Sequence, residues 1–98
     1  MYRQGDVLII RDTPPAKVTW VEQQNYVLAH GEATGHAHVM VGSVEVGQTA
    51  DSVDRWLRLS SPATVTHQEH TSVTIPPGIY RVRRQREYTA AEIRQVRD

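Results

Sequence analysis

Four of the five histidines in this 98-residue chain fall in two close pairs, His36-Ala37-His38 and His67-Gln68-Glu69-His70. Residues two apart on a strand point to one face, so His36 and His38 project together, roughly 6–7 Å apart at the backbone. His67 and Glu69 make a matching pair on a second strand, whereas His70 has the opposite parity unless a bulge or the strand end turns it. Two imidazoles from one strand plus an imidazole and a carboxylate from another supply three or four ligands at about 2.0–2.2 Å to zinc. The same donors suit a facial set for iron, manganese or nickel. His36, His38, His67, Glu69 and His70 are therefore the candidate metal ligands, with His30 as an outlying sixth. Gly35 lets the chain before His36 approach closely.

The competing reading is that these are histidines of an exposed strand face, hydrogen-bonded to carbonyls, with Glu69 paired to an arginine of the last strand. Without a metal, facing imidazoles repel once protonated. They should then be neutral near pH 7, and acid should loosen their contact.

A second concentration of chemistry lies near the C-terminus. Residues 81–98 carry six arginines against three acids. Strand parity puts Arg81 and Arg83 on one face and Tyr80, Arg84, Arg86 and Tyr88 on the other. An Arg–Tyr face can stack bases and hold phosphates, which makes these four residues a candidate nucleic-acid surface. Two arginines per face is thin electrostatics, however, and a charge-protected edge strand explains them as well. Contact between the basic end of one copy and the acidic remainder of another is a further reading. It would use Arg81 and Arg83 with Ile93 and Val96.

The elements that must position these groups read mainly as strands. Val7-Leu8-Ile9-Ile10 is a continuous apolar run, as in a strand covered on both faces, and Pro14-Pro15 ends the extended segment. Val18–Val21 runs to a predicted turn at Gln23-Gln24-Asn25. Tyr26–Ala29 and His36–Val41 follow, joined across the Gly31–Gly35 connection as a hairpin. Gly42-Ser43 and Gly47-Gln48 bracket a short strand, Val44–Val46. Trp56–Leu59, Ala63–His70 and Val73–Ile75 come next, then the Pro76-Pro77-Gly78 turn and a last strand, Ile79–Glu87. Trp20 and Trp56 read as core or interface anchors. Asp51, Ser52 and Asp54 read as a loop before the Trp56 strand.

Thr89-Ala90-Ala91-Glu92 has the form of a capping box, predicting one helix over about 90–97 with a narrow apolar stripe. Regular strands without intervening helices predict one all-β domain over 1–98. It should hold seven to nine short antiparallel strands, over about 2–88, in a barrel or sandwich, with the single C-terminal helix.

Composition narrows the chemistry. The chain has no cysteine, which excludes disulfides, thiolate metal sites and a cysteine nucleophile. Eleven basic residues balance eleven acidic ones, so no whole-molecule field draws in nucleic acid or membrane. No apolar run is long enough to cross a bilayer, and the first residues lack a signal-peptide core, which predicts a cytoplasmic protein. No serine sits in a nucleophile elbow, and no glycine loop has the lysine of a phosphate cradle.

Tyr2-Arg3-Gln4-Gly5-Asp6-Val7, Thr34-Gly35-His36-Ala37-His38, His67-Gln68-Glu69-His70 and Gln85-Arg86-Glu87-Tyr88-Thr89 together resemble a set of small bacterial proteins of about this length. That resemblance implies a stand-alone domain and no particular activity. More loosely, Gly31–His38 is similar to the start of the first cupin motif, and Ile75-Pro76-Pro77-Gly78 to the Pro-x-Gly turn of the second. The cupin likeness implies a small metal-binding β-barrel. No glutamate follows His38 at the cupin distance, and no histidine follows Gly78.

The leading expectation is a self-associating accessory or binding domain, not an enzyme. Its histidine cluster would bind a divalent metal (zinc, iron, manganese or nickel) or respond to pH. Homo-oligomerisation is expected because so small an apolar fraction is most readily stabilised against further copies. The runner-up is a metal-dependent hydrolase or oxygenase of cupin type, with Glu69 as ligand or general base, and the third reading is a nucleic-acid-associated module.

Overall fold

The structure, a computed structural model, describes residues 1–30, 35–49 and 55–84. Eight strands form one sheet: β1 (Tyr2–Gln4), β2 (Val7–Arg11), β3 (Thr19–His30), β4 (Ala37–Gln48), β5 (Arg55–Leu59), β6 (Ala63–Thr66), β7 (Val73–Ile75) and β8 (Gly78–Arg84). Their order is β1-β2-β8-β5-β4-β6-β7, with β3 pairing on β4. Every pairing is antiparallel, and the sheet curls into a nearly closed barrel. The predicted all-β class holds. No helix occurs among the described residues, and the helix expected over 90–97 lies outside them, as do Ile93, Val96, Arg86, Tyr88 and the Asp51–Asp54 loop.

Strand β4 is the hub of the sheet. Along one edge it pairs with β3; along the other, Val39–Val41 pair with β6 and Glu45–Gly47 with β5. The change of partner falls at Gly42, whose φ of 103° turns the strand. Opposite it, Asn25 adopts a φ of 51° where the β3–β4 register shifts, and its side-chain Oδ1 accepts the Gly42 N–H at 2.9 Å. This is a bulged corner, the device that bends a sheet toward closure. The turn predicted at Gln23–Asn25 and the break predicted at Gly42-Ser43 are thus both corrected. Two twelve-residue strands bend together there, and pairing resumes on either side.

Alternation along the strands fills the interior. Val7 and Ile9, Leu57 and Leu59, Ala63 and Val65, and Tyr80 and Val82 all face one core with Leu28, Met40, Val44 and Ile75. Tyr80 is completely buried, and its hydroxyl donates to Pro76 O at 2.7 Å while accepting from Arg11 Nη2 at 3.0 Å. A buried phenol needs such partners, since an unpaired one costs about 1–3 kcal/mol. Trp56 is buried as expected, and Trp20 is half-buried beneath the Arg58 guanidinium, 4.3 Å from its ring.

The ends of the sheet, β1 and β7, do not pair. A side chain stitches this seam instead. Gln4, at the end of β1, is 3 % exposed and donates through Nε2 to Val65 O in β6 and Thr71 O before β7, each at 3.0 Å. It sits just before a two-residue hairpin turn, Gly5-Asp6, with Gly5 at the first central position and φ at 58°, as a type II′ turn requires.

Candidate functional site

The histidines expected to converge do so, at one end of the barrel. His67 lies 4.3 Å from His38, 4.6 Å from His70 and 5.5 Å from His36, and His38 lies 5.8 Å from His70, ring centroid to ring centroid. His38 points inward from β4 and is 2 % exposed, whereas His36 precedes the strand and is only part-buried. Strand β6 ends at Thr66, so His67–His70 form a bend and not the predicted strand extension. Parity therefore does not govern His70, and its ring joins the cluster. His30, at the exposed end of β3, pairs its backbone with Ala37.

Gln68 holds the two histidine motifs together. Its side-chain oxygen accepts the Ala37 N–H at 3.0 Å and its nitrogen donates to Gly35 O at 3.2 Å, as a neighbouring strand would. The β1–β2 turn closes the other side. A Cβ on Gly5 would come within 2.8 Å of His70 Nε2 and 3.2 Å of His38 Cε1, so only glycine lets the turn lie on both rings.

Hydrogen bonding fixes which ring nitrogens carry protons. Gln4 spends its N–H groups on two carbonyls, so its oxygen faces His38 Nδ1 at 2.9 Å and must accept a proton held there. Neutral His38 then has a bare Nε2, which looks toward Asp6 Oδ1 at 3.6 Å. His36 Nδ1 lies 3.2 Å from Glu69 Oε1, and a carboxylate only accepts, so Nε2 of neutral His36 is bare as well. His67 is the reverse. Its Nδ1 accepts the Glu69 backbone N–H at 3.0 Å, which puts the proton of the neutral ring on Nε2.

Glu69 is exposed, and among the described residues it pairs with His36 and not with an arginine. Carboxylates and amides in this position orient metal-ligating imidazoles.

Electrostatics disfavour the charged forms of His38 and His67. Burial lowers the pKa of His38, the charge of His67 adds to the effect, and Asp6 opposes it. His67 is also lowered, by desolvation and then by the charges of His70 and His36. Burial alone would raise the Asp6 pKa, but the hydrogen bond and charge of Arg84, with Nη2 2.8 Å from Asp6 Oδ2, hold the carboxyl below its usual value.

Sequence reasoning missed Gln4 and Asp6, and it put Arg84 to another use. The only local signal was a Gly turn flanked by polar residues at the chain start. Of the four residues of the predicted nucleic-acid face, Tyr80 lies in the core and Arg84 is paired with Asp6, while Arg86 and Tyr88 lie outside the described residues. Of the predicted oligomer contacts, Arg81 pairs with Asp12 at 3.2 Å and Arg83 is exposed.

A family model described as Domain of unknown function (DUF8820) matches residues 3–85, a span that takes in the site from Gln4 to Arg84. The chain belongs to the DUF8820 family. This agrees with the small domain that the sequence resemblance implied, and it brings no activity with it. No curated protein and no solved structure matches the chain. The cupin likeness therefore remains one of short sequence motifs. No helix among the described residues of this DUF8820 domain is long and apolar enough to cross a membrane.

Proposed function

We propose that this DUF8820 domain binds a divalent transition metal of the zinc class at the barrel end, through His36, His38 and His70. Asp6 is the fourth candidate donor. The observation that carries this reading is the spacing of the four imidazoles. Two rings sharing a tetrahedral zinc through nitrogens at about 2.0–2.1 Å have centroids roughly 5 Å apart; of the proposed ligands His38 and His70 stand 5.8 Å apart, and His67 packs 4.3, 4.6 and 5.5 Å from His38, His70 and His36. The donor chemistry also fits, since His36 and His38 each keep a lone pair on Nε2 with Nδ1–H engaged by Glu69 and Gln4. As the rings stand, no three His, Asp or Glu side chains among the described residues meet at one metal position, so binding would require ring rotation.

His67 has a different part. With its proton on Nε2, it would donate a hydrogen bond to an oxygen ligand seated beside the three nitrogens. That donor favours, as second reading, the metal-dependent hydrolase or oxygenase, whose chemistry needs an open position next to a hydrogen-bonding group. When bound, the metal would act there as a Lewis acid.

Zinc titration by calorimetry with elemental analysis of the purified protein tests the reading. The natural chain should retain about one metal per chain and His36→Ala/His38→Ala none. Equal metal content in both, or none in either after zinc loading, would discard the site.

A further inference from the structure

We infer that Gln4 is a positioning residue that selects the tautomer of His38 and so decides which of its nitrogens faces the site. The inference concerns the site proposed above, but the tautomer itself is independent of whether metal binds. The Gln4 amide is buried at the barrel seam with all its hydrogen-bonding directions constrained. Val65 O and Thr71 O, each 3.0 Å from Nε2, can only accept. Rotating the amide by half a turn would bring its oxygen against both carbonyls, so the nitrogen must stay where it is. Oε1 is then left opposite His38 Nδ1 at 2.9 Å and demands a proton there.

Two consequences follow from one side chain. Nε2 of neutral His38 keeps its lone pair toward Asp6 and the neighbouring rings, and this orientation depends on the barrel seam being closed, because β6 and the segment before β7 hold the amide. A residue 34 positions away in sequence thereby prepares the buried histidine as an electron-pair donor.

Long-range nitrogen–proton NMR spectra of the metal-free, nitrogen-15-labelled protein at pH 8 read the tautomer directly. The natural chain should show His38 protonated on Nδ1 and bare on Nε2. Gln4→Leu keeps the bulk but removes the acceptor, and should shift His38 toward the Nε2–H form. Zinc affinity should fall about 10–100-fold, the usual cost of losing a group that orients a ligand. Gln4→Glu retains an acceptor and should keep the Nδ1–H tautomer even though its seam donors are gone; it serves as well if Gln4→Leu fails to fold.

An Nε2–H tautomer in the natural chain or in Gln4→Glu would overturn the inference, as would an unchanged tautomer in folded Gln4→Leu. If the tautomer shifts as expected but zinc binds none of the three proteins, the inference stands and the metal reading falls.

Discussion

Removing His38 from water makes its cationic form costly, and the neighbouring His67 charge adds to that cost, so the folded protein holds this ring neutral below the ordinary imidazole value of 6.5. In the unfolded chain the same ring titrates normally. Between the two pKa values the unfolded state binds more protons, and stability must therefore rise with pH. For the metal-free protein, the urea midpoint should be constant above pH 7.5, fall as the pH drops through about 6.5, and level off once the folded ring titrates. His38→Ala should be less stable at pH 8 yet show a shallower pH dependence; identical slopes would place the proton uptake elsewhere. What the sequence conveyed at this scale was which residues carry the chemistry. Strand parity put His36 and His38 on one face and gave His70 the opposite one unless the strand end turned it, and β6 does end before it, at Thr66. Parity was blind to Gln4 and Asp6, whose partners lie 34 to 78 positions away.

Strands β3 and β4 owe their shared corner to two residues that accept a left-handed backbone, Asn25 and Gly42. Space is not the constraint at Gly42, since a Cβ there would meet nothing within 4 Å. The cost of a side chain at φ 103° is then backbone strain alone. Gly42→Val should destabilise the domain by about 1–3 kcal/mol in urea denaturation, even though the new side chain has room. No measurable loss would mean that the corner can relax without moving its neighbours. The sequence signals at this corner were real but ambiguous. Asn and Gly mark both chain reversals and bulges, and only the matching bend in the facing strand decides between them. Elsewhere the apolar pattern placed most strands well, because alternation reflects one-sided burial and the continuous run at Val7-Leu8-Ile9 reflects a strand buried on both faces.

The site exists only when the barrel is closed, since its groups come from the β1–β2 turn, the start of β4, the bend after β6 and the end of β8. An unfolded chain has no such site, so a bound metal should stabilise the fold by mass action. Zinc at a hundredfold excess over its dissociation constant should add about 2.7 kcal/mol, raising Tm by roughly 10–20 °C for a domain of this size. Scanning calorimetry should show that rise, its reversal by chelator and its absence in His36→Ala/His38→Ala. An equal rise in the double variant would locate the effect at another site. The sequence by itself determined an all-β domain and the two histidine pairs, because strand formation and residue chemistry are written locally in alternation and side-chain type. Only the tertiary structure decided that four imidazoles face one another, that Tyr80 is core and not surface, and that Gln4 and Asp6 belong to the site. Those facts depend on which strands become neighbours when the sheet closes, and that depends on the bends and seam of the whole barrel.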